Sequence, residues 1–290
     1  MPYKHKKVAI ATPYWKPGED FFHLIVNSIR GKTADGDIVT ISEKAISTAM
    51  GNILDESNTR PRLLARFLAK YWMRLVWGYV LGPLCHLRKK TIGRCRDYPI
   101  CEGSAHKQVA LQYAGFFQAL MHGSEGAIDG SNLPYSYVSF PLKDAQAVAQ
   151  QIRNFIRTEL GRNVAVMIID TDKTYSLGNF HFTPRPKPFR GIHSFGGALA
   201  YIFGRLFKLQ RRSTPIAFVG SRLSTEKALA IAEIANRARG FGAGRTVWDM
   251  AETFNVALTN STWEMLDKIE HKPIVILGRK PHRRFDYSSG

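Results

Sequence analysis

Short apolar runs alternate along the chain with longer stretches of helical periodicity, the pattern of a mixed α/β protein. Val8–Ala11, Ile38–Ile41, Val138–Phe140, Val164–Ile169, Pro215–Val219 and Pro273–Leu277 predict strands. The run Val164–Ile169 has no polar interruption, which predicts a strand buried on both faces that ends at Asp170-Thr171-Asp172. Apolar residues at 3–4 spacing predict helices over Asp20–Arg30, 60–80, 107–121, Lys143–Leu160, Phe195–Phe207 and Ser224–Arg239, the last stopped by Gly240. Ser261 and Glu264 fit a capping box for a short helix to about Ile269.

Segment 60–80 is apolar and basic together, with Leu63, Leu64, Phe67, Leu68, Tyr71 and Leu75 on one side and Arg66, Lys70 and Arg74 on another. Its aromatics, Tyr71, Trp72, Trp77 and Tyr79, suit a core or a subunit interface better than a nucleic-acid or membrane face. A span needs about 20 apolar residues; Phe67–Cys85 carries Lys70 and Arg74 inside it, so no transmembrane segment is predicted. Met1–Lys7 is basic, but Val8–Trp15 is too short and too aromatic for a signal peptide, which makes the cytoplasm the expected compartment. The tail GRKPHRRFDYSSG is expected to fray.

Lys and Arg number 41 against 23 Asp and Glu, a net charge of +18. Such a surface attracts anions: nucleotides, nucleic acid or acidic lipid. The 3 cysteines, Cys85, Cys95 and Cys101, match no zinc spacing and exclude a disulfide scaffold. His106, in GSAHKQ, is expected to make a polar capping contact.

Two acids stand out. Asp129 lies in the loop GAIDGSN, and Asp170 follows the most buried strand. Ligands collect at the carboxyl ends of parallel strands, and a hard cation takes one or two carboxylates plus phosphate oxygens. The same residues also suit an Asx-turn and a loop cap. Chain segment Gly240–Thr246 (GFGAGRT) suits either an anion nest or a helix stop with a tight turn. No P-loop, dinucleotide fingerprint or nucleophile elbow is present.

Four segments in order are similar to the F420 γ-glutamyl ligases: KPGED (16–20), DGDIVTISEKAISTAMG (35–51), GAIDGSN (126–132) and VAVMIIDTD (164–172). The resemblance implies that family's mixed α/β fold over residues 1–220, with a helical insertion at about 57–105 and a C-terminal helical extension, 221–290, packed on the body. It implies a homodimer and a GTP- and metal-dependent joining of L-glutamate to a carboxylate of a deazaflavin-type acceptor, with Mg²⁺ or Mn²⁺. Asp129 and Asp170 would be the catalytic metal ligands, with Thr171 at a second ion. Thr12, Pro13, Tyr14, Trp15, Glu43, Lys44, Asn132 and, by a looser match, Gln210 would contact the nucleotide. The chain departs from the pattern at Thr48 and Met50, where the family has Lys and Glu, at Lys173-Thr174, and in PRPKPFR (184–190). The alternatives are the same site acting on another carboxylate or amino acid, or a basic scaffold that binds RNA or anionic lipid.

Overall fold

The computed structural model describes residues 5–279, from β1 through β9. Strand β1 (His5–Thr12) leads through a Pro-containing loop to α1 (Phe21–Ile29), whose first amides are capped by Asp20. Strand β2 (Ile38–Ser42) runs directly into α2 (Glu43–Ala49), and β3 (Ile53–Asp55) precedes a 3₁₀ turn at Glu56–Asn58.

A helical insert follows. A continuous helix comprises α3 (Leu63–Phe67), a π-helical stretch at Leu68–Leu81 and α4 (Gly82–Leu84); α5 (Lys89–Arg96), α6 (Ile100–Tyr113) and α7 (Phe116–Ala119) pack around it. Trp72 and Trp77 turn inward and both donate their indole N–H to the Leu120 carbonyl, at 2.8 and 2.7 Å. Tyr71 and Tyr79 remain exposed, so the aromatic segment is divided between core and surface. The helix ends at Leu84, one residue past Pro83, whose ring withholds an N–H from the continuous ladder. No helix among the described residues is long and apolar enough to cross a membrane.

The chain returns through β4 (Tyr137–Ser139), which pairs with β3, and α8 (Ala145–Leu160) to the central strand β5 (Ala165–Leu177). Then come β6 (Phe180–Thr183), β7 (Ile192–Ser194), α9 (Ala198–Leu206), β8 (Gln210–Val219), α10 (Thr225–Arg239), α11 (Val247–Phe254), α12 (Trp263–Leu266) and β9 (His271–Arg279). Thr262, not Ser261, caps α12. The tail from residue 280 lies outside the described residues.

The seven-stranded sheet has the order β1-β9-β2-β5-β6-β7, with β8 on the other edge of β5. Strands β2 and β5 are parallel, Ile38 opposite Ala165 through Ser42 opposite Ile169. Val166 and Ile168 point into a core shared with α1, α2 and α8, while Ala165, Met167 and Ile169 point into one shared with α10. This two-sided burial is why the strand is apolar throughout.

Two expectations change. β5 does not end at Asp170-Thr171-Asp172 but continues to Leu177, because β8 follows it as an antiparallel partner beyond the end of β2. The C-terminal region, expected as a helical extension packed on the body, also carries a strand of the sheet: β9 lies between β1 and β2, hydrogen-bonded to both. A boundary at 220/221 would cut the sheet.

Candidate functional site

The site forms where β2 and the parallel half of β5 finish side by side. Ser42 is opposite Ile169, so the next residues, Glu43-Lys44 on one strand and Asp170 on the other, emerge together. The register of β5 against β8 passes from Asp170–Thr214 to Lys173–Ser213, leaving Thr171 and Asp172 as a bulge. Bulges redirect side chains. The loop 123–132 crosses over this edge, held by a bridge between Asp129 and Ser139. A narrow cleft results, lined by Glu43, Lys44, Ala127, Asp129, Ser139, Phe140, Asp170 and Asp172.

Lys44 Nζ bonds the Asp129 carboxylate and donates to the Ser131 carbonyl and hydroxyl, each at 2.8 Å. Asp129 Oδ1 accepts the Ser131 amide at 2.7 Å, the Asx-turn expected of that loop. On the other wall, Arg185 is buried, with Nη1 2.8 Å from Glu43 Oε2 and 2.7 Å from Asp170 Oδ2. Glu43 Oε1 also accepts the Leu142 amide. Asp172 Oδ2 is buried without a partner among the described residues. Burial and the charge of Asp170 push the Asp172 carboxyl well above the usual range, against the pull of Arg185 and the Ser124 hydroxyl.

The loop is anchored behind the cleft. Lys107, inside α6 and fully buried, reaches Glu125 Oε1 at 2.5 Å and also the Met121 carbonyl. His106 lies 2.7 Å from Glu56 and 3.0 Å from Glu125. It sits within a helix rather than at its start, and it makes ion pairs rather than a cap. The anchor holds Ala127 at φ +70° and Asn132 at φ +57°; the alanine pays the left-handed steric cost of about 1–2 kcal/mol.

The remaining expected residues form a second layer. Tyr14 donates its hydroxyl to the Asn132 carbonyl at 2.6 Å and stacks on His271 at 4.3 Å. Asn132 Oδ1 accepts the Ala243 amide at 2.7 Å, and its Nδ2 donates to the Gly244 carbonyl at 2.8 Å. Gly242 has φ +57°, and a Cβ there would lie 2.5 Å from Asn132 Oδ1, so this turn requires glycine. Segment Gly240–Thr246 is therefore a turn that clamps Asn132, not a nest open to ligand. Thr12 hydrogen-bonds the Pro13 carbonyl. Trp15 belongs to the main core, and Gln210 pairs with Ser176, about 13 Å along β8 from Thr214; neither lines the cleft. Thr171 stays against Asp170, its amide 2.6 Å from Oδ1.

The family model of F420-0:gamma-glutamyl ligase matches residues 9–195. The chain belongs to that family. It is also 36% identical over 280 residues to the Uncharacterized protein MJ1361 of Methanocaldococcus jannaschii, covering 92% of this chain and 94% of that one. That likeness extends past the segment matched by the ligase model.

Two departures from the family pattern, Thr48 and Met50, lie away from the cleft lining. Thr48 is buried and back-bonds to the Lys44 carbonyl at 2.9 Å, and Met50 is exposed. The changed segment PRPKPFR supplies Arg185. Its burial against two carboxylates was not legible in a run of prolines and cations. Arg239, at the end of α10 and beyond the family-matched segment, was also missed. Burial lowers its pKa, while the charges of Asp170 and Asp129 counter that. Its one hydrogen bond among the described residues is to Asn236, at 3.3 Å. Burial draws the His271 imidazole down to about 4, with a further push from Arg239.

Proposed function

We propose that this ligase-family protein joins L-glutamate to a carboxylate of an F420-0-like acceptor, using GTP and a divalent cation and passing through an acyl phosphate. The observation that carries the reading is that Asp129 and Asp170, from segments 41 positions apart in the chain, line one cleft with Glu43 and Lys44.

The donor set fits a hard cation. Four carboxylates line or adjoin the cleft, Glu43, Asp129, Asp170 and Asp172, against two cations, Lys44 and Arg185. Oxygen ligands with a residual negative charge suit Mg²⁺ or Mn²⁺. Asp129 and Asp170 would hold it, and when bound it would neutralise phosphate charge. Lys44 and Arg185 orient these carboxylates. Lys44 is also placed to meet a phosphate when Asp129 turns to the cation. Arg239 supplies a further positive charge for an anionic substrate. A carboxylate is a poor electrophile until phosphorylated, and phosphoryl transfer needs positioning and charge neutralisation more than a protein nucleophile. The amine of glutamate then needs only to be held against the acyl phosphate in a site from which water is excluded.

Turnover is tested by phosphate release from GTP or ATP with Mg²⁺ or Mn²⁺, with and without L-glutamate and a deazaflavin acceptor. Release should require metal and acceptor together. Asp129→Asn and Asp170→Asn should each lower it by at least a hundredfold with the circular dichroism spectrum unchanged. Full turnover in both variants would overturn the reading. In the same proposal the protein works as a homodimer.

A further inference from the structure

We infer that Asp172 is a cation ligand of this cleft, and that a divalent ion enters it together with nucleotide phosphates rather than before them. The inference deepens the ligase reading above and rests on it. Asp172 is 9% exposed, lines the same cleft as Asp129 and Asp170, and has a buried carboxylate oxygen without a partner among the described residues. The other three acids are already compensated. Asp129 is paired with Lys44, while Glu43 and Asp170 share Arg185. Asp172 is therefore the carboxylate with open coordination.

Its placement is built by the backbone. The bulge at Thr171-Asp172 breaks the alternation that would otherwise continue along β5. The bulge is pinned where the Thr214 hydroxyl donates to the Asp172 carbonyl at 2.7 Å. An uncompensated buried charge is costly unless a proton or a cation joins it, and two further acids lining the cleft favour the cation.

Among the described residues, no three His, Cys, Asp or Glu side chains close into a metal cage. One or two carboxylates must then be supplemented from outside the protein, which is how Mg²⁺ binds with phosphates and water. The two ligands complete each other's site, so each should raise the other's affinity by the same factor.

Free Mn²⁺, followed by electron paramagnetic resonance, is the probe. Wild-type protein with GTP should bind Mn²⁺ at least tenfold more tightly than without it. Asp172→Asn should lose at least tenfold of that affinity with GTP present, and its metal-free Tm should equal or exceed that of wild type. The exposed Glu159→Gln should behave as wild type. Equal Mn²⁺ affinity in Asp172→Asn and wild type would overturn the inference, as would tight Mn²⁺ binding without nucleotide. A measurement on the unaltered protein guards against misfolding of the variant: Fe²⁺ with GTP, ascorbate and peroxide should cut the chain close to residues 170–174, and excess Mg²⁺ should suppress the cuts. Cuts confined elsewhere would also overturn it. Metal–nucleotide binding at Asp172 without phosphate release would leave the inference standing and sink the ligase reading. Phosphate release that survives in Asp172→Asn with unchanged metal affinity would do the reverse.

Discussion

Two buried clusters of charge hold opposite ends of the loop 123–132, and they are finished differently. At one end Glu125 accepts from Lys107 and His106, and His106 also meets Glu56, so each ionic group has a partner. Burial alone would raise Glu125, but Lys107 and His106 hold it down at about 2. At the other end Asp129, Asp170 and Glu43 are paired while Asp172 keeps an oxygen without a partner among the described residues. A closed network serves as an anchor, and an open one beside it is able to take a ligand. The distinction lies in the one acceptor left over, since both clusters contain buried acids and bases.

The strongest test separates stability from turnover. Lys107→Met strips the buried Glu125 of its lysine and leaves it with His106, which should cost about 3–5 kcal/mol, a fall in Tm of roughly 10 °C by calorimetry. Lys44→Met breaks a partly exposed pair and should cost only about 1 kcal/mol, yet it should abolish turnover. Comparable Tm losses in the two variants would erase the contrast.

A smaller effect is expected across α10. Arg239→Gln should raise the KM for nucleotide about tenfold. Arg237→Gln, on the same helix but exposed and paired with Glu233, should leave it unchanged. Isothermal titration with GTP and with L-glutamate would assign the loss to one substrate, and equal binding by both variants would remove Arg239 from the site.

The mildest test is pH. His106 is raised well above its ordinary value: burial lowers it, and Glu56 and Glu125 more than reverse that. Its stabilising contribution is therefore full below about pH 6.5 and is lost only as pH rises through the elevated value. Glu125 contributes above about 4.5 and loses this as pH falls toward 2. His271 has the opposite sense to His106: it is neutral by preference, so its contribution is full above about 6.5 and declines toward pH 4. Hydrogen exchange between pH 6.5 and 4.5, corrected for the intrinsic rate, should quicken at residues 12–15 and 241–244 while 104–110 stay protected. Uniform loosening would join the two regions into one unit.

The sheet and the pair Asp129–Asp170 were legible because they lie in short segments whose pattern is local: an apolar run, then an acid; a glycine-rich loop, then an acid. Glu43 and Lys44 came with the resemblance of the segment DGDIVTISEKAISTAMG to the family. Arg185, Arg239 and the open oxygen of Asp172 were not legible, because each depends on a partner far along the chain or, for Asp172, on a bulge set by the register with β8. The same physics explains Trp15: a residue next to the site-facing loop belongs to the core because α1 and α8 close over it. The chemistry of His106 was similarly hidden, since Glu56 is 50 positions away.

Strand β9 has a consequence for how the molecule comes into being. β1 is made long before β9, yet they are neighbours, and β2 reaches β1 only across β9. Until β9 leaves the ribosome, the pairing edges of β1 and β2 that it would join lack their partner. A nascent chain stopped at residue 195 holds every acid of the cleft and still lacks the strand that sets their platform. The growing chain must therefore be shielded from pairing with its neighbours until β9 has been made, and assembly of the cleft waits for that strand.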